Sequence, residues 1–222
     1  MSVLIHPARA IASAGGRLLA GATALLADAR LARKPLHPAG QLLRGRLVRY
    51  RAEEPSGVAW LDEPGDDEVL IRTSRAVGTP PPFPDIHGLA IRVPDPTGGF
   101  ADLLLATTAW NRVGRHVLVP TLAVGPTLTT LLPYRTAGGP VVIGARHVGT
   151  GYQLFWARVG GPWRLLGDLT LDMPGTADAT VSFDPIRQHP PGLTHYPLFV
   201  RLRERSYAIA RAHRDHGHGE PR

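Results

Sequence analysis

Tyr207 sits among arginines at −4 (Arg203), +4 (Arg211) and +7 (Arg214). On a helix these positions share one face with the tyrosine. Nearby positive charge favours the ionised form of a phenol. A phenolate is a hard oxygen ligand for ferric iron, and tyrosine serves as an axial haem ligand. Arginines on the same face suit a haem's propionates, especially where the pairing is bidentate. The stretch before this helix carries Phe183-Asp184-Pro185 and Pro190-Pro191-Gly192.

The elements that must position such a tyrosine follow from the rest of the chain. Residues 8–33 read as one long N-terminal helix, ended by Pro35 and weakened by Gly15-Gly16. Short apolar runs then recur between Gly, Pro and Asp clusters, at 41–51, 57–61, 68–74, 87–93 and 101–107. Pro80-Pro81-Pro82 and Pro84 mark a loop, because proline cannot sit inside a central strand. Residues 121–134 read as a short helix or an irregular crossing. A second strand series covers 141–148, 152–159, 163–173 and 179–183, with a hairpin turn at Gly160-Gly161-Pro162. About nine strands between two terminal helices favour a closed antiparallel barrel in a mainly β (α+β) chain. The expected organisation is a helical segment over 1–35, a barrel with the Tyr207 helix over 36–214, and a disordered tail over 215–222.

Composition narrows the chemistry. With 222 residues, one domain with a real core is expected. The chain has no cysteine, which removes disulfides, thiolate metal sites, iron–sulfur clusters and a thiol nucleophile. The net charge is +7 and the pI about 10.7, with Lys34 as the one lysine. Such arginine usage, with abundant Ala, Gly and Pro, resembles that of a GC-rich bacterial genome. The arginines are spread out, without a basic run interleaved with aromatics, so nucleic acid is not an expected partner. No membrane span is expected: residues 11–31 are interrupted by Arg17, Asp28 and Arg30 and make a poor signal peptide. The expected compartment is the cytoplasm. The tail histidines His213, His216 and His218 suit a metal by type, but terminal polar tracts are usually disordered. No Gly-rich phosphate loop, His-Glu-x-x-His or Gly-x-Ser-x-Gly occurs.

Four stretches, in order, resemble the haem catalases and their small catalase-like, peroxidase-type relatives. They are Lys34-Pro-Leu-His37-Pro-Ala-Gly40, Arg72-Thr-Ser74, Pro84-Asp85-Ile-His87-Gly88-Leu-Ala90-Ile-Arg92, and the C-terminal Phe-Asp-Pro, Pro-Pro-Gly and Arg203…Tyr207…Arg214 set. The last is the most specific, since Tyr207 follows Phe183 by 24 residues with Pro-Pro-Gly between. The resemblance implies a catalase-type barrel enclosing haem b. It implies that Tyr207 is the iron's ligand, that Arg203 holds it as phenolate, and that Lys34, Arg72 and Arg214 meet the propionates. Arg211 joins them on the same helix face. It also implies His37 as the distal histidine that shuttles a proton on peroxide, with Ser74 fixing its ring. The family's distal asparagine falls at Ala106, which leaves Thr107 or Thr108 to supply a hydroxyl. Lys34 keeps the charge of the family's arginine without its planar fork.

The activity implied is turnover of hydrogen peroxide or an organic hydroperoxide with a small-molecule electron donor, with a homodimer as the candidate assembly. The alternative is a catalytically inactive catalase-fold protein that carries haem or a lipid or serves as an interaction module. The missing asparagine and the short chain favour that alternative. Each site residue also has a structural reading: Arg72 pairing with Asp85 on the barrel rim, His37 held by a backbone carbonyl, Asp85 and Gly88 shaping a turn.

Overall fold

The computed structural model describes residues 40–75, 79–80, 82–96, 98–122, 127–172, 181 and 183–197, all within one compact unit, Leu36–Val200. Eight strands close into an antiparallel barrel in sequence order. They are β1 (Gly40–Arg49), β2 (Gly65–Arg75), β3 (His87–Pro94), β4 (Phe100–Thr107), β5 (Thr127–Thr129), β6 (Val141–Val148), β7 (Gly151–Arg158) and β8 (Arg164–Leu171). β1 closes the ring by pairing with β8, from Gly45 opposite Leu171 to Arg49 opposite Gly167. Closure removes the exposed edges that an open sheet would present. This is the mainly β, closed antiparallel barrel that the strand signals predict.

Alternation decides which side chains go inside. Leu43, Ile71, Ile91 and Leu103 form one cross-strand row of the interior. Leu89 and Leu105 form the next, and Leu128, Ala145 and Leu154 continue the filling on the opposite wall. All of these are buried, as are Ile143 and Trp156. Each such leucine or isoleucine stabilises the fold by roughly 1.5–3 kcal/mol relative to exposure. The interior is therefore packed hydrocarbon. The expectation that a porphyrin lies inside the barrel is corrected: among the described residues, side chains take that space.

Three local expectations also change. Residues 57–61, read as a strand, include the start of a short helix, α1 (Ala59–Asp62). Its apolar run arises because Val58, Trp60 and Leu61 are all buried, a pattern that periodicity cannot assign over so few residues. Residues 121–134 contain the three-residue strand β5, where a helix or irregular crossing was expected. At 179–183, the described residues Val181 and Phe183 are not in a strand. The Gly160-Gly161-Pro162 hairpin joins β7 to β8 as expected, with Gly160 at φ 80°, which glycine adopts without strain. Both terminal helices expected from the sequence lie outside the described residues. Among the described residues no helix is long and apolar enough to cross a membrane.

Candidate functional site

The outer face of β1–β4 brings Arg72 and Ser74 onto one surface. Ser74 stands opposite Gly40 on β1 and Gly88 on β3, and Gly88 stands opposite Ala106 on β4. One row along, Leu42, Arg72, Ala90 and Leu104 are aligned in the same way. The two rows make a floor of glycine, alanine and leucine, with a guanidinium and a hydroxyl standing within it on β2. Leu42 is buried and the other side chains of the second row are half-buried. A Cβ added at Gly88 would come within 2.8 Å of Ser74 Oγ, so the hydroxyl leans over the glycine.

Thr107 is not part of this surface. It follows Ala101, Leu103 and Leu105 in the inward parity, is fully buried, and its Oγ1 accepts the backbone N–H of His87 at 3.2 Å. The expectation that Thr107 joins Ser74 over a shared ligand is corrected by strand parity: adjacent residues point to opposite faces. Thr108 is buried as well, and its hydroxyl donates to Thr129 Oγ1 at 3.2 Å. Ala106, the position matched to the family's asparagine, does face the floor.

The Asp85 carboxylate has its own neighbours. It accepts the N–H groups of Ile86 at 2.7 Å and Thr79 at 3.1 Å, and Arg75 Nε lies 3.5 Å away. Asp85 is thus held by backbone N–H groups, with Arg75 as an ion-pair partner on the rim. His87 faces inward, its Nε2 3.3 Å from the Thr121 carbonyl oxygen. Lys34, His37, Arg203, Tyr207, Arg211 and Arg214 lie outside the described residues, as do His213, His216 and His218. Among the described residues no three His, Cys, Asp or Glu side chains gather to hold a metal ion.

The sequence reading missed a charged pair beside the floor. One row beyond Ala90 and Leu104, Arg92 faces Asp102 across β3 and β4. Arg92 Nε donates to Asp102 Oδ1 at 2.7 Å and Arg92 Nη2 to Oδ2 at 2.8 Å. The hydrogen bonds from Arg92 to Asp102 hold the guanidinium pKa above its ordinary value, against the opposing effect of burial. Asp102 Oδ2 also accepts the backbone N–H of Asp184 at 2.7 Å, and the Asp102 N–H donates to the Gln188 carbonyl at 2.7 Å. The Phe183-Asp184-Pro185 segment is therefore docked on β4. The available signal was charge type alone: Arg92 and Asp102 sit at outward positions of strands that the alternation identifies.

A second cluster covers the outer face of β6. Trp110 and Trp163 stack at 4.3 Å, and Trp110 meets Phe155 edge-on at 5.3 Å. Arg146 lies over Trp110 and Arg115 over Trp163, at 4.8 and 4.3 Å. Arg115 is 1% exposed. Burial, with a smaller effect from Arg112, lowers its pKa. At the opposite end of β1 from Ser74, a groove of about 440 Å³ lies between Tyr50–Glu54 and Trp163–Leu165. Among the described residues, none of the predicted site borders it.

No family model matches the chain, and no curated protein matches it. Solved structures do. Catalase A from Saccharomyces cerevisiae is similar with a TM-score of 0.57 at 12% identity, over 82% of this chain and 60% of that one. A fungal catalase is similar with a TM-score of 0.55 at 12% identity, over 82% and 59%. The chain spans about three-fifths of the length of these catalases. At this identity the likeness shows the fold alone: the barrel is catalase-like.

Proposed function

We propose that this protein is a haem-dependent enzyme that consumes hydrogen peroxide or organic hydroperoxides, with haem b on the outer face of β1–β4 and Tyr207 as the iron's ligand. The observation that supports this most is the floor itself. Gly88, Ala90 and Ala106 keep it low over β3 and the adjoining end of β4, and Leu42 and Leu104 add apolar area on either side. A flat macrocycle needs such a surface, because buried apolar area provides much of its affinity. Arg72 on β2, beside Ala90, suits a propionate carboxylate. The described residues thus fit the group.

The remaining roles belong to residues identified by sequence. Lys34 and Arg214 are the further propionate partners, Arg203 holds Tyr207 as phenolate, and Arg211 adds charge on the same face. Bound haem b supplies a ferric iron and its redox chemistry towards peroxide. His37 would be the base that takes the proton from one peroxide oxygen and the acid that returns it to the other. Ser74 orients the His37 ring. The experiment is an absorption spectrum of protein made with added haem precursor. A Soret band that is lost in Tyr207→Phe is expected; colourless wild-type protein that refuses added haemin overturns the reading.

One observation favours a second reading, a catalase-fold protein that holds haem or a lipid without turning over peroxide. Ala106 faces the floor with a methyl group, while Thr107 is turned inward. In the two floor rows Ser74 is the sole hydroxyl, so a bound peroxide gets little polar help. Pigmented protein with no peroxide consumption is the result that selects this reading.

A further inference from the structure

We propose that Asp102 is a positioning residue: with Arg92 it fixes the Phe183–Gln188 segment at the border of the floor, as one wall of the proposed haem surface. This rests on the haem reading above.

The geometry is specific. Asp102 is 0% exposed, and a buried carboxylate must have its lone pairs satisfied. Arg92 takes both oxygens in the bidentate fork, and Oδ2 has a second donor in the Asp184 N–H. The Gln188 carbonyl accepts the Asp102 N–H, and Arg92 Nη2 reaches Gln188 Oε1 at 3.3 Å. Within the segment the Gln188 N–H returns to the Asp184 carbonyl at 2.9 Å. The Arg92 guanidinium also lies 4.9 Å from the Phe183 ring centre and 5.6 Å from that of Phe100. An apolar pair at 92 and 102 could stabilise the barrel as well, since ion-pair burial carries a desolvation cost. What it could not do is accept a backbone N–H from a distant segment and so fix its register. The pair lies next to Ala90 and Leu104 on the same two strands, so that register is set against the floor itself.

The test uses the full chain with haemin as the probe and compares wild type with the Arg92→Leu/Asp102→Leu double variant, which leaves no lone buried charge. The expected result is a cooperative melt close to wild type, trypsin cleavage after the exposed Arg187 at least tenfold faster, and haemin affinity at least tenfold weaker. In the wild type the Asp184 amide is expected to exchange hydrogen as slowly as barrel amides, a measurement that needs no variant. Wild-type haemin affinity in the folded double variant, unchanged resistance at Arg187, or loop-like exchange at Asp184 overturns the positioning role and leaves the haem reading standing. Haemin refusal by the wild-type chain is a separate result, which overturns the haem reading and the positioning role together.

Discussion

Ser74 and Gly88 face each other across β2 and β3, with the serine hydroxyl 2.8 Å from where a glycine Cβ would stand. Alanine at 88 needs only a rotation of that hydroxyl. A leucine there would rise from the floor between Ser74 and Ala106. Gly88→Leu is expected to keep the barrel, because the position faces away from the core and leucine is tolerated in strands. Haemin affinity, read from Soret titration, is expected to fall at least tenfold. Unaltered affinity in a folded Gly88→Leu protein would place the ligand elsewhere.

The tryptophan pair makes an independent claim on the other wall. A Cβ at Gly144 would meet Trp163 at 2.8 Å and Trp110 at 2.9 Å, both ring atoms with little freedom. The stacked pair packs directly on the β6 backbone, and overpacking such a contact costs about 1–3 kcal/mol. Gly144→Ala is expected to lower stability by that amount in urea denaturation, with tryptophan fluorescence reporting the disturbed stack. A neutral substitution would show that the indoles yield freely.

These two sites show what alternation and punctuation reveal and what they leave out. The strand runs at 41–51, 87–93 and 101–107 were legible between turn signals, and in the structure Leu43, Leu89, Ile91, Leu103 and Leu105 take their inward parity. The same parity places Ala106 and Thr107 on opposite faces, although their residue types suggested a shared role. The Arg92–Asp102 pair was not legible, because cross-strand partners depend on register, which a hydrophobic pattern fixes only where one face is buried. The same holds for Asp184, which meets Asp102 from 82 residues away. β5 is three residues long, too short for any period to appear.

Arg115 tests how a buried guanidinium is tolerated. Its Nη2 donates to the Gly161 carbonyl at 2.9 Å, and its plane lies over Trp163. A lysine ammonium lacks both the fork and the flat stacking surface. Arg115→Lys is expected to cost about 2 kcal/mol, from the lost hydrogen bond and the ammonium's stronger hydration. Equal melting temperatures for the two proteins would contradict that.

Asp62 supplies the clearest pH dependence. Its carboxylate accepts the N–H groups of Ser56 at 2.7 Å, Gly57 at 2.8 Å and Val58 at 3.2 Å, tying the 56–58 loop to α1. Burial alone would raise its pKa, but the hydrogen bonds from Ser56, Gly57 and Val58 together outweigh it and hold the group below its ordinary value of 3.8. A carboxylate with a depressed folded-state pKa stabilises the fold above its unfolded value. That stabilisation is lost as pH falls through the folded value. Wild-type melting temperature should therefore decline as pH drops below about 4, in part through this group. Asp62→Asn keeps one acceptor and no charge, so it should melt lower at neutral pH, by about 1 kcal/mol of stability. Its acid decline should be shallower, and parallel curves for the two proteins from pH 7 to 3 would assign the acid sensitivity to other carboxylates.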